Sequence, residues 1–241
     1  MKILVVNDDS IDAPGLAILA KAARELGDVW VVAPSHQCSA MSQKLSIHGS
    51  LRVEKVEDFP VPVEAAYKVD GTPVDCVKVA LQYIMADKPD YVFSGINNGY
   101  NVGFEIAYSG TVGAAYEAIM NGIPAIAFSN TANAPLTIAE KYLVPIAREL
   151  IEADQNLREV WNVNFPAVVP DALKGILRER SVAPIRLFSN QYLESKLADG
   201  TVDLTIQGAP LTTTDGVPEE TDVEAVLKGY ISIGKVKCAV L

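Results

Sequence analysis

The chain has 241 residues, 49% of them hydrophobic and 21% charged, with a formal net charge of -10. That length accommodates a large α/β domain with a substantial core, and every apolar run falls well short of the roughly 20 residues that a membrane span needs. The acidic balance and the lack of clustered Lys and Arg exclude a nucleic-acid scaffold, but not a small phosphate ligand held by a metal and backbone amides.

In chain order, Ile3-Leu4-Val5-Val6 predicts a buried strand that stops at Asn7-Asp8-Asp9. Adjacent carboxylates at a buried strand's end repel one another and lose hydration, so the segment is either a solvated turn or a divalent-cation site. A helix follows, with Leu16, Leu19, Ala23 and Leu26 on one face, Pro14 near its start and Gly27 after it. Val29 to Ala33 is a second short strand buried on both faces, and the resulting βαβ unit predicts parallel strands. Gly71-Thr72-Pro73 leads into a helix through Val77, Ala80, Leu81 and Ile84. Tyr91-Val92-Phe93 is a strand followed by a polar loop over 94–101. A helix from near Thr111 through Ala115 to Met120, closed by Gly122, precedes a strand from Pro124 to Phe128. The expected fold is α/β, a Rossmann-like doubly wound, mostly parallel sheet in three layers. In such sheets ligands sit outside the carboxyl ends of the strands, where Asp8, Ser39 and the 94–101 loop fall.

Residues 136–153 read as helical, with Pro145 expected to kink or interrupt the segment. Trp161, Val163 and Phe165 alternate with Asn162 and Asn164, a strand pattern. Turn signals at Ala198-Asp199-Gly200 make about 184–208 a hairpin arm, expected to pack on another subunit in a homodimer or homotetramer. One domain over 1–241 is expected, with a core over 1–130 and completing elements over 131–241. Cys38, Cys76 and Cys238 are too scattered for a disulfide framework, and Met1-Lys2 enters a strand without a signal-peptide core. The expected location is cytoplasmic.

Several constellations are absent: G-x-G-x-x-G, a P-loop lysine motif and a G-x-S-x-G elbow. His36 and His48 are the only histidines, which disfavours zinc. What remains is oxygen chemistry. Asp8 and Asp9 are hard anionic ligands suited to Mg²⁺ or Mn²⁺, and neutral oxygens from Ser39 or Asn97 complete such a shell without adding charge. Ser94 to Asn101 reads either as a loop that lets backbone and amides approach a ligand or as a plain turn. Ser109-Gly110-Thr111-Val112-Gly113, opening a helix, reads either as a phosphate cradle or as a simple N-cap. A metal beside an anion cradle points to phosphoryl transfer.

These segments, in this order, resemble the SurE family of stationary-phase survival proteins, metal-dependent 5′-nucleotidases. The resemblance is carried by Asn7-Asp8-Asp9 with Ala13-Pro14-Gly15, Val31-Val32-Ala33-Pro34, Gly71-Thr72-Pro73 with Asp75-Cys76-Val77, Ser94-Gly95-Ile96-Asn97 and Ser109-Gly110-Thr111-Val112. Asn162 to Pro166 and Gly229 to Ser232 extend it over nearly the whole chain. It implies one divalent metal ion per subunit held by Asp8, Asp9, Ser39 and Asn97, with phosphate contacts from Asn101 and from Ser109, Gly110 and Thr111. The expected substrate is a nucleoside 5′-monophosphate, with no nucleic-acid or membrane partner. Asp8 is then the catalytic residue, either orienting the attacking water or itself attacking phosphorus. A nucleotide-binding protein with little turnover and a phosphatase preferring short-chain polyphosphate are the alternatives. A phosphoacceptor receiver also places two acids after its first strand, but its third aspartate is missing where Val31 to Ala33 ends at Pro34.

Where the family usually has glycine, this chain has Ser10 and Ala40. A required φ > 0 would strain Ala40 by about 1 kcal/mol or more, so the loop is expected to have adjusted. The last strand, Ile233-Gly234-Lys235-Val236, also departs from the family's usual ending.

Overall fold

The computed structural model describes residues 1–153 and 156–241. In chain order the elements are β1 (Lys2–Val6), α1 (Pro14–Ala23), β2 (Asp28–Pro34), β3 (Val53–Lys55), β4 (Ala65–Val69), α2 (Pro73–Val79), β5 (Tyr91–Asn98), α3 (Gly110–Met120), β6 (Ala125–Asn130) and α4 (Thr137–Glu152). There follow β7 (Glu159–Phe165), β8 (Ile176–Arg180), β9 (Phe188–Lys196), β10 (Val202–Pro210), α5 (Asp222–Leu227) and β11 (Ile231–Lys237). A nine-stranded sheet runs in the order β3-β4-β2-β1-β5-β6-β7-β11-β8. From β4 to β7 every neighbouring pair is parallel, whereas β3 and β11 pair antiparallel with β4 and β7.

Alternation along the strands builds the layers. Ile3 and Val5 pack with Leu16 and Leu19 of α1 and Leu143 and Ile146 of α4 on one face. Leu4 and Val6 pack with Val77 of α2 and Val112, Ala115 and Ile119 of α3 on the other. The chain leaves β1 toward β2 and β4 on one side and resumes at β5 on the other. The topological switch therefore lies between the carboxyl ends of β1 and β5, where open α/β sheets bind ligands. Among the described residues no helix is long and apolar enough to cross a membrane.

The doubly wound, mostly parallel sheet expected from the sequence is present, and four local readings change. Helix α1 stops at Ala23, and Leu26 lies in the following turn, where it still packs on the core. The second predicted helix is α2 closed by a π turn over Ala80–Ile84, with the Met85 amide donating to the Ala80 carbonyl. Strand β5 continues through Ser94–Asn98, so five of the eight residues of the expected 94–101 loop are strand. A register shift between Ser94 and Asn97 lets Asn97 and Asn98 pair with Ser129 and Asn130 of β6 despite their turn-forming side chains. Helix α4 runs unbroken through Pro145. Pro145 and Lys141, whose carbonyl is left without an amide partner, are both exposed, so water can serve that carbonyl.

The predicted arm is a separate two-stranded sheet of β9 and β10, antiparallel from Phe188–Pro210 to Lys196–Val202. Its Tyr192, Leu193, Leu204 and Ile206 are exposed. Its base, by contrast, is fixed: the Leu187 amide donates to the Glu105 carboxylate at 2.9 Å, and Leu187 packs with Val102, Val223 and Val226.

Candidate active site

The turn after β1 brings Asp8 and Asp9 to the switch point. Asp8 is only 4% exposed. Its carboxylate accepts a 2.6 Å hydrogen bond from the Thr111 hydroxyl at the start of α3. Its backbone carbonyl accepts from the Cys38 amide at 2.7 Å, which fastens the segment carrying Ser39 beside it. Burial pushes the Asp8 carboxyl up from 3.8 to about 6, against the Thr111 hydrogen bond and with a further upward push from Asp9. Asp9 is half-buried; burial raises it as well, while the Asn98 amide at 2.7 Å and the Gln37 amide group at 3.4 Å work in the opposite sense.

Asp8, Asp9, Ser39, Asn97, Asn101 and Ser109 line one cavity of about 170 Å³. Asn97 donates its Nδ2 to the Gly99 carbonyl at 2.7 Å, leaving Oδ1 as the amide's acceptor end. This donor set of two carboxylates, an amide and a hydroxyl fits a hard divalent cation. Among the described residues no Lys or Arg ion-pairs with either aspartate, so the chain itself supplies no counter-charge to the two adjoining carboxylates, and a bound cation would. The set has too few His, Cys and acidic side chains for a thiophilic or imidazole-bound metal.

The helix end behaves differently from a plain cradle. Ser109 caps α3, accepting from the Val112 amide at 3.0 Å. Thr111 is fully buried, turned toward Asp8 and away from the cavity. Gly110 lies against Asp8: a Cβ there would meet the Asp8 Cβ and Oδ2 at 3.0 Å, so a larger residue would press on the Asp8 side chain.

Asn101 is clamped in a polar network that the sequence reading missed. Its amide donates to Asn164 Oδ1 at 2.9 Å, its carbonyl accepts from Asn162 and Asn164, and its Nδ2 reaches Ser129 at 2.8 Å. Asn162 and Asn164 are both buried within β7, and amides at core positions of a strand are the signal that could have flagged them. Glu105 and Tyr108 also line the cavity and come from the 3₁₀ turn Gly103–Tyr108, which the sequence does not announce.

Ser10 and Ala40 hold φ values of 95° and 56°. The expected adjustment therefore did not occur, and the chain keeps glycine-like angles with L side chains. The surroundings over-determine them: the Ser10 carbonyl accepts from Asn7 at 2.8 Å, while Cys38 and Ser42, on either side of Ala40, are tied to Asp8 and Tyr108. Ala40→Gly is accordingly expected to stabilise the protein by about 1 kcal/mol, seen as a higher urea midpoint at unchanged slope. An unchanged or lower midpoint would mean that Ala40 is not strained.

The Survival protein SurE family model matches residues 3–184. Relatives include "5'-nucleotidase SurE" of Alkaliphilus metalliredigens, 36% identical over 97% of this chain and 91% of its own length. "5'-nucleotidase SurE 1" of Thermus thermophilus is 39% identical over 97% and 90%. The crystal structure of the SurE protein from Aquifex aeolicus superposes with a TM-score of 0.84 at 33% identity, covering 98% of this chain and 93% of that one. With its sheet, its β1 carboxylates and its α3 glycine now placed, the chain belongs to the SurE family.

Proposed function

We propose that the protein is a metal-dependent phosphomonoesterase that hydrolyses nucleoside 5′-monophosphates to nucleoside and phosphate. The observation that carries this reading is the convergence of Asp8, Asp9, Ser39 and Asn97 with Asn101 and the start of α3 around one small cavity at the switch point. The 5′-nucleotidase names of the relatives support it. Asp8, Asp9, Ser39 and Asn97 would hold one Mg²⁺ or Mn²⁺, which supplies charge stabilisation for the phosphoryl oxygens.

The chain's own residues do the rest. Asp8 orients the attacking water, and Thr111 holds the Asp8 carboxylate in position through its hydroxyl. Asn101, immobilised by Asn162, Asn164 and Ser129, presents a fixed polar group to the phosphate, and Ser109 at the start of α3 lines the same cavity. Ser10 and Ala40 keep the backbone angles that glycine would adopt, which weakens the motive for reading a protein that binds nucleotide without turnover.

We place the enzyme in the cytoplasm as a homodimer or homotetramer. The three buried, unpaired cysteines suit a reducing compartment, and the exposed apolar side chains of the β9–β10 arm suit contact with another copy. Phosphate release from AMP is expected with Mg²⁺ or Mn²⁺, to disappear with chelator and to return on adding back metal. Undiminished release in excess chelator would overturn the metal-dependent reading.

A further inference from the structure

Asp222 opens α5 with only 3% of its surface exposed, and among the described residues no Lys or Arg ion-pairs with it. Backbone amides hold its carboxylate instead. Oδ1 accepts from Ala183 at 2.9 Å and from Val223 at 2.8 Å, and Oδ2 accepts from Gly103 at 3.0 Å. A buried carboxylate is costly, and one whose oxygens reach two other segments fixes both of them against its own helix.

The two segments differ in what they carry. Ala183 lies between β8 and β9, at the root of the arm, whereas Gly103 stands two positions after Asn101 and two before Glu105, both of which line the small cavity. Gly103 is enclosed: its φ is 53°, and a Cβ there would meet the Ile185 carbonyl oxygen at 2.5 Å. The turn that follows hangs on the same root. The Phe104 amide donates to the Ile185 carbonyl at 2.9 Å, and the Glu105 carboxylate accepts from the Leu187 amide at 2.9 Å. At the other end of this stretch, Asn162 and Asn164 of β7 clamp Asn101. The 101–105 segment is therefore a span with two anchors, β7 and Asp222.

We propose that Asp222 is a positioning residue for the reaction, holding the 101–105 segment so that Asn101 meets the phosphate, an assignment that rests on the nucleotidase reading above. Asp222 does not line the cavity and acts through Gly103. The proposed metal ligands hang elsewhere: Asp8 and Asp9 follow β1, Asn97 lies in β5 paired with β6, and the Cys38 amide fastens the Ser39 segment to Asp8. Loosening Gly103 therefore weakens the hold on phosphate and spares the metal, a split that a general loss of stability would not produce.

Asp222→Asn breaks this one tie. Its single accepting oxygen, kept on Ala183 and Val223, turns the amino group toward the Gly103 N–H, donor against donor. In D222N the Kd for inorganic phosphate, by calorimetry at saturating Mg²⁺, should rise about tenfold and kcat/KM for AMP should fall about thirtyfold. The Mg²⁺ concentration for half-maximal activity should stay within about twofold of wild type. Thr221→Ala is the control, because the Thr221 hydroxyl caps α5 by accepting from the Glu224 amide at 3.3 Å and donates to the Pro218 carbonyl, away from Gly103. T221A should lower the urea midpoint yet leave phosphate Kd and kcat/KM within about twofold. Gly103→Ala reaches the tie from the other side, pushing the turn off the Ile185 carbonyl with Asp222 intact, and should raise phosphate Kd about fivefold or more. It carries the test should D222N not fold. A phosphate Kd within about twofold of wild type in D222N, or in G103A where D222N does not fold, would overturn the assignment. So would an equal loss in T221A, a Mg²⁺ requirement that rises in step with the phosphate Kd, or a wild type that binds no phosphate. Phosphate binding that weakens as expected in D222N, in a protein whose wild type releases no phosphate from AMP, would sink the nucleotidase reading and leave the positioning role standing.

Discussion

Asp8→Asn is expected to lower phosphate release from AMP by about a thousandfold at saturating Mg²⁺ or Mn²⁺. The substitution is nearly isosteric, and an amide oxygen can still accept from the Thr111 hydroxyl, so the fold and the seat of α3 are kept. What disappears is the charge. Asp8 is buried, stands beside Asp9 and has no Lys or Arg partner among the described residues, an arrangement whose ionised form needs a cation. The neutral amide of the variant would weaken that cation's hold and could neither orient a water as a base nor attack phosphorus. Raising the metal concentration divides the two roles: it recovers whatever part of the loss comes from affinity and leaves the part that belongs to catalysis. Activity within about tenfold of wild type at saturating metal would leave Asp8 a ligand and withdraw its catalytic role.

The parts of this site that a reader of the sequence can find are those announced locally. Asp8 and Asp9 interrupt an apolar strand, and buried adjacent acids are costly enough to demand a reason. Ser109 and Gly110 sit just ahead of a helical repeat, where caps and close approaches are expected. The contacts that give those residues their roles are non-local. Thr111 meets Asp8 across 103 positions, and Asn101 meets Asn162 and Asn164 across more than sixty. No periodicity encodes such a pairing, so the bond between the Thr111 hydroxyl and Asp8 is not legible in the sequence. The misread elements share a cause as well. Ser94 to Asn98 carries turn-forming residues, yet pairing with β6 outweighs their local preference, and Pro145 is tolerated because solvent serves the carbonyl that its ring leaves free.

The Gly71-Thr72-Pro73 segment, which leads into the helix that carries Asp75, ties that helix to the segment around Lys44 and Ser46, and breaking the tie has a measurable cost. Asp75 is 1% exposed, and its carboxylate accepts from the Thr72 amide at 2.8 Å and from the Ser46 amide and hydroxyl at 3.0 and 2.7 Å. The Thr72 hydroxyl completes the tie by donating to the Lys44 carbonyl at 2.6 Å. Asp75→Ala is expected to destabilise the protein by about 3 kcal/mol in urea unfolding. Most of this comes from the Thr72 amide, since Thr72 is buried and Ser46 is exposed enough to turn to water. The segment released runs back to Ser39, so kcat/KM should fall by about tenfold as well. The pH dependence identifies the cause. Burial works to raise the Asp75 carboxyl, but the Thr72 and Ser46 donors outweigh it and hold the group below 3.8. A carboxyl depressed on folding contributes stability above its unfolded value and loses it as pH falls through the folded one. The gap between wild type and D75A should thus be constant near neutrality and narrow below about pH 4. A gap that stayed constant through the acid range would assign the loss to packing rather than to the carboxylate's hydrogen bonds.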